Sequence, residues 1–173
     1  TPCIVPRVGH PGFSIGDDEM EIGMGIHGET GIRRGKIEPA DQIVDEMLEK
    51  ILADFDGIDG SRVAVLVNGL GATTLDEQYI VTRRIDAVLK SRNITVKKYY
   101  VGEYATALEM AGVSISILKL DDELEKLLAE PAQTPFFQQG SVSDDGTVKM
   151  DVHKETAAAQ TACRSPARTA CSC

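Results

Sequence analysis

"RVAVLVNGLGATTLDEQYIVTRRIDAVLKSR", residues Arg62–Arg92, holds a strand, a turn and a helix in that order. Arg62–Asn68 is a continuous apolar strand. "GLGA" then turns the chain, and Thr74 with Glu77 has the spacing of a capping box. The helix so opened runs to about Arg92, with Val81, Ile85, Val88 and Leu89 on its apolar face. "ITVKKYYVG" (Ile94–Gly102) follows as a second strand, so a helix connects two strands.

The same alternation extends both ways. Upstream, "EPADQIVDEMLEKILADF" carries Ile43, Val44, Met47, Leu48, Ile51, Leu52 and Phe55 on two adjacent rows, an amphipathic helix with Pro39 suited to its first turn. Downstream, "VSISILKL" sets Val113, Ile115 and Ile117 on one face of a strand, and "DDELEKLLAE" is a short helix with an acidic start, stopped by Pro131. Strands interleaved with helices predict an α/β layered domain with a mixed sheet. Ser114 and Ser116 leave one strand half polar, which predicts helices over one face only.

Composition narrows the function. Hydrophobic residues make up 42% and charged residues 26% of 173, enough for one domain with a real core. Aromatics are only 5% with no Trp, so that core is aliphatic. The net charge of −9 argues against nucleic acid and anionic membrane as partners. No apolar run approaches the ~20 residues of a membrane span and no secretory leader is legible, which predicts a soluble, cytoplasmic protein. Cys3, Cys163, Cys171 and Cys173 make neither a disulfide framework nor a C-x-x-C zinc pair, which fits a reducing compartment. Residues 1–139 are expected to be the folded part. Residues 140–173, aperiodic and rich in Ala, Thr, Ser and Asp, are expected to be a disordered tail; "CSC" at the end lacks the rest of a prenylated GTPase, and "KETAAA" resembles a peptide tag.

Between the Pro- and Gly-rich residues 1–18 and the first helix lies "EMEIGMGIHGETGIRRG". Met20, Ile22, Met24 and Ile26 alternate with Glu19, Glu21, Gly23 and Gly25, the pattern of a strand over Glu19–Ile26. Gly23, Gly25 and Gly28 spell G-x-G-x-x-G, but a dinucleotide loop must run into a helix whose N-terminus receives the pyrophosphate. No helical period begins until about Ala40. "NGLGAT" has the better context for an anion, strand to turn to helix, but lacks the Lys-Ser/Thr of a P-loop and reads more simply as a tight turn. By parity His27 shares a face with Gly23 and Gly25, leaving room beside the imidazole. Two readings stay open on that geometry: a small-ligand residue, or a turn histidine with its ring hydrogen-bonded.

"EMEIGMGIHGETG", "VDEM" (Val44–Met47), "VLVNGLGATTL" and "GVSISILKLDDE", in that order, resemble the C-terminal half of the substrate-binding K subunit of dihydroxyacetone kinases. The resemblance covers roughly residues 2 to 138, and G-I-H-G-E is its specific part. It implies a two-layer, DegV-like α/β domain with a mixed sheet, and a homodimer of the complete subunit. It also implies that His27 attacks the keto carbon of dihydroxyacetone and holds it as a hemiaminal, which makes His27 both the catalytic and the substrate-binding residue. A neutral imidazole is nucleophilic near neutral pH and only a carbonyl carbon accepts it, so such a site separates ketose from polyol by reactivity. Thr30 stands where the family usually has Pro. The family's N-terminal half, with its G-G-G-S-G-H-E-P loop and general base, has no counterpart here, and His10 in "VGHPGF" is no substitute. No cofactor is expected in this chain; ATP with Mg²⁺, or a phosphotransferase-system donor, would act through a separate L unit. A kinase component that is inactive alone is therefore expected. A non-catalytic dihydroxyacetone- or lipid-binding regulatory module is the alternative, and a nucleotide-binding enzyme is disfavoured by the missing helix.

Overall fold

The computed structural model describes residues 1–25, 30–142, 148 and 149, and divides into two units, Thr1–Glu125 and Lys126–Cys173. In the first unit the sheet has the order β4-β3-β5. β3 (Arg62–Gly69) pairs in parallel with β4 (Thr95–Gly102) and antiparallel with β5 (Val113–Leu120). The expected mixed sheet is thus built on β3. Helix α2 (Leu75–Ser91) supplies the crossover that parallel neighbours require.

Helices α1 (Ala40–Ala53) and α2 pack against each other, α2 on β3 and β4 and α1 on β5. Val44, Leu48 and Leu52 of α1, Val81, Ile85 and Leu89 of α2, and Val63, Val65, Val67 and Ile115 of the sheet form one core cluster. All three β3 valines have the same parity, so both helices cover one face. The other face carries Ala64, Leu66 and Asn68 of β3, opposite Leu118, Ser116 and Ser114 of β5. One-sided cover is what the serines of β5 predicted.

The β3–β4 register slips between Val63 and Ala64, where Val96 and Lys98 are the successive partners and Lys97 is the extra residue. Lys97 Nζ then reaches Glu125 Oε1 at 2.8 Å, while Arg62 Nη1 reaches Glu125 Oε2 at 2.6 Å and its Nη2 reaches Asp122 Oδ1 at 2.6 Å. These contacts tie the start of α3 (Asp122–Ala129) to β3 and β4. Residues 1–18 carry a turn and an isolated bridge between Ile4 and Pro11 and no strand or helix, as their composition predicted.

One expectation is corrected. The strand anticipated over Glu19–Ile26 stops at Ile22: β1 is Glu19–Ile22, and Gly23 at φ +77° leaves the extended region. Its partner β2 (Arg33–Lys36) went unread because RRGK has no apolar alternation. Its signal is charge, since Glu19 faces Lys36 and Glu21 faces Arg34 across the ladder. The second unit holds two short ladders among the described residues. β6 (Ala132–Gln133) pairs antiparallel with β7 (Gln138–Gln139), and Gln139 Nε2 donates to the Leu128 and Glu130 carbonyls at 2.7 Å each. β8 (Ser141–Val142) pairs antiparallel with β9 (Val148–Lys149) within the stretch expected to be a disordered tail. Residues 143–147 and 150–173, three cysteines among them, lie outside the described residues.

Candidate functional site

The β1–β2 ladder ends in a tied neck from which the glycine loop leaves. Past the last ladder pair, Ile22 with Arg33, the Ile32 N–H donates to the Ile22 carbonyl at 2.7 Å. A side chain on Gly23 would put its Cβ 2.7 Å from Ile32 Cγ1, and one on Gly31 would meet Glu21 Cγ and the Ile22 carbonyl oxygen at 2.7 Å. The two strand ends therefore approach closely only because both positions are glycine. Glu21 bridges them. Its Oε1 accepts from the Gly31 N–H at 2.9 Å, and its Oε2 accepts from Arg34 Nη2 at 2.8 Å and Nε at 3.1 Å.

The Glu21 side chain is only 11% exposed. Arg34 first, and the Gly31 N–H second, hold its carboxyl below the usual glutamate range, so it stays ionised. Arg34 also donates to the Ser14 carbonyl at 3.1 Å. Next to it, Arg33 grips Glu46 of α1 through Nε at 3.0 Å and Nη2 at 2.6 Å, with Glu38 at 3.1 Å. The bidentate pair anchors the hairpin to the first core helix.

His27 lies outside the described residues, together with Ile26, Gly28 and Glu29. Because Gly23 turns out of the strand, the parity that placed His27 on the face of Glu21 and Gly23 does not extend to it. Among the described residues no helix starts between the glycines and Ala40, so the dinucleotide reading gains no support from the structure. His10 is exposed, with Nδ1 3.1 Å from the Pro11 carbonyl oxygen.

The second glycine turn, after β3, is a locked turn. Asn68, 3% exposed, donates to the Ala105 carbonyl at 2.9 Å and Ser114 Oγ at 3.1 Å, and its Oδ1 accepts from the Tyr104 and Ala105 N–H groups at 2.8 and 2.9 Å. Every bonding site of its amide plane is used, three on the β4–β5 connection and one on Ser114 of β5. At the α2 N-terminus the Glu77 carboxylate accepts from the Thr74 N–H at 2.8 Å and the Thr74 hydroxyl at 2.9 Å. With Asp76 beside it, the place an anion would take already holds negative charge. The anion reading of "NGLGAT" is set aside in favour of the tight turn. Among the described residues, no group of three or more His, Cys, Asp or Glu is placed to hold a metal. No helix among them is long and apolar enough to cross a membrane.

The Dak1 domain profile matches residues 1–136. The chain belongs to the Dak1 family. It is 50% identical over 123 residues to the dihydroxyacetone-binding subunit DhaK of PTS-dependent dihydroxyacetone kinase 1 from Listeria innocua, which covers 71% of this chain and 37% of that one. The Dak1 domain seen here thus spans under two fifths of that relative's length. Among solved structures it is similar to the dihydroxyacetone kinase operon co-activator Dha-DhaQ, with TM-score 0.67 and 30% identity over 75% of this chain and 41% of the other. It is also similar to the C. freundii dihydroxyacetone kinase in complex with AMP-PNP and Mg²⁺, with TM-score 0.57 and 33% identity over 65% of this chain and 20% of the other. The α/β fold with its mixed sheet is that of these proteins. Sequence reading missed the Glu21–Arg34 pair and Asn68; the acidic parity of β1 facing the basic parity of β2 is the signal that marks the first.

Proposed function

We propose that this chain is a substrate-binding component of a dihydroxyacetone kinase and that His27 holds the ketose covalently. The observation that carries the reading is the Dak1 match over residues 1–136, which includes G-I-H-G-E. A ring nitrogen of neutral His27 adds to the keto carbon, and the carbonyl electron pair moves to oxygen. The ring then gives up its N–H proton as that oxygen gains one, so the hemiaminal is the net addition of N–H across C=O. The adduct orients a terminal hydroxyl for phosphorylation to dihydroxyacetone phosphate. The phosphoryl donor, ATP with Mg²⁺ or a phosphotransferase-system protein, is supplied by an L-type unit, and the complete K subunit is a homodimer. Without that unit and the remainder of the subunit the chain transfers no phosphate.

Carbon NMR of dihydroxyacetone labelled at C2 tests this. With a complete K subunit carrying this sequence, the ketone resonance should give way in part to a tetrahedral carbon; His27→Ala should abolish that signal, and glycerol should not compete for it. The signal should weaken in acid, because a protonated imidazole has no ring lone pair free to add to the keto carbon. An undiminished tetrahedral signal in His27→Ala, or phosphorylation of dihydroxyacetone by the isolated chain, contradicts the reading. One observation favours a second, regulatory reading: the similarity to a co-activator at TM-score 0.67. Under it the ketose still binds, but adding an L unit and donor yields no phosphorylated product.

A further inference from the structure

We propose that Glu21 is the positioning residue of the His27 loop, tying the loop's two ends together and so fixing the span within which His27 meets the ketose. The proposal rests on the reading of His27 given above and names a residue that acts through it. The Glu21 side chain touches both sides of the neck. It belongs to β1, accepts from the Gly31 N–H at the far end of the loop, and takes two further donors from Arg34 of β2. The ladder alone closes the hairpin at Ile22 with Arg33. Beyond it, among the described residues, the Ile32 N–H to Ile22 carbonyl bond and the Glu21 carboxylate hold the returning strand.

Backbone space supports the assignment. Glu21 Cγ and Oε1 occupy the volume that a Gly31 Cβ would fill, so carboxylate and glycine are fitted to each other. Arg34 fixes the second carboxylate oxygen, which leaves Oε1 aimed at Gly31, and Arg34 is itself held by the Ser14 carbonyl. Hydrogen bonds to charged groups are stronger than neutral ones, so this tie outweighs an ordinary turn bond. A covalent anchor needs such a tie, because the addition proceeds only when the ring nitrogen and the keto carbon are held at attack distance.

The test uses Glu21→Ala and Glu21→Gln in the full chain and in a complete K subunit carrying this sequence. Hydrogen exchange at the Gly31 amide reads the neck, and the tetrahedral C2 signal of labelled dihydroxyacetone reads the anchor. Glu21→Ala should speed Gly31 exchange by about tenfold or more while the β3 amides keep their protection, and should lower adduct occupancy by a similar factor. Glu21→Gln, which keeps an acceptor for Gly31 but not the charge for Arg34, should recover part of both. Unchanged Gly31 exchange in Glu21→Ala overturns the proposal, as does accelerated exchange with full adduct occupancy. If the unaltered subunit forms no adduct, the His27 reading fails, and Gly31 exchange alone then decides whether Glu21 ties the loop.

Discussion

Gly71 shows how a single backbone position holds two connections together. It sits at φ +130°, and an added Cβ would run into the Leu108 carbonyl. Leu70 and Ala72 on either side donate to the Gly112 and Met110 carbonyls, so the chain after β3 and the chain before β5 are in backbone contact. Gly57 has φ +68° with nothing within 4 Å of the added atom. The pair separates strain from collision. Gly57→Ala should cost about 1–2 kcal/mol, the left-handed penalty alone. Gly71→Ala should cost more than about 3 kcal/mol, since the Leu108 carbonyl must also move. Urea unfolding of both variants measures the difference; equal losses would show that the 104–112 segment yields freely.

Helix α2 was legible from end to end because its signals are local. Thr74 and Glu77 lie three residues apart, and the apolar row of Val81, Ile85 and Leu89 repeats at helical spacing. Glu77→Ala should cost about 1 kcal/mol by freeing the Thr74 N–H, with Glu77→Gln recovering most of it. Thermal unfolding measures this, and a neutral Glu77→Ala would mean that packing alone fixes the helix start. The hairpin was legible only on one side. β1 has its apolar alternation, whereas β2 is three charged residues and a glycine, and it is a strand only because β1 offers it a ladder of opposite charge. Alternation carried on to Ile26 in the sequence, but a glycine in the left-handed region ended the strand, since the chain had to turn back toward Ile32.

Ion pairs link the elements throughout the first unit. Arg33 joins β2 to α1 through Glu46, Arg84 joins α2 to α1 through Asp45, Arg34 joins the hairpin strands through Glu21, and Lys97 with Arg62 joins the sheet to Glu125. Each of these carboxyls is held below its ordinary value, chiefly by the hydrogen bond from its partner. A folded pKa below the unfolded one adds stability that is complete above the unfolded carboxylate range and is lost as pH falls through the folded values. The melting temperature should therefore hold steady down to roughly pH 5 and drop below roughly pH 4. Added salt should shrink the drop in part, because these pairs are half-buried at the surface and only partly screened. A melting temperature unchanged in acid would show that the pairs add nothing.

The α/β class, the mixed sheet, both core helices and the one-sided cover were all readable in order along the chain. They rest on periodicities of 2 and 3.6 and on the serines of β5, which a few neighbouring residues express completely. G-I-H-G-E was readable too, as a run of adjacent residues. The strand order β4-β3-β5, the bulge that sends Lys97 to Glu125, the four bonds of Asn68 and the Glu21–Gly31–Arg34 tie appear only in three dimensions. In each of these a side chain or a strand edge has a choice of partners along the chain. Local spacing cannot make that choice, because the partner is selected by where the packed core brings the backbone.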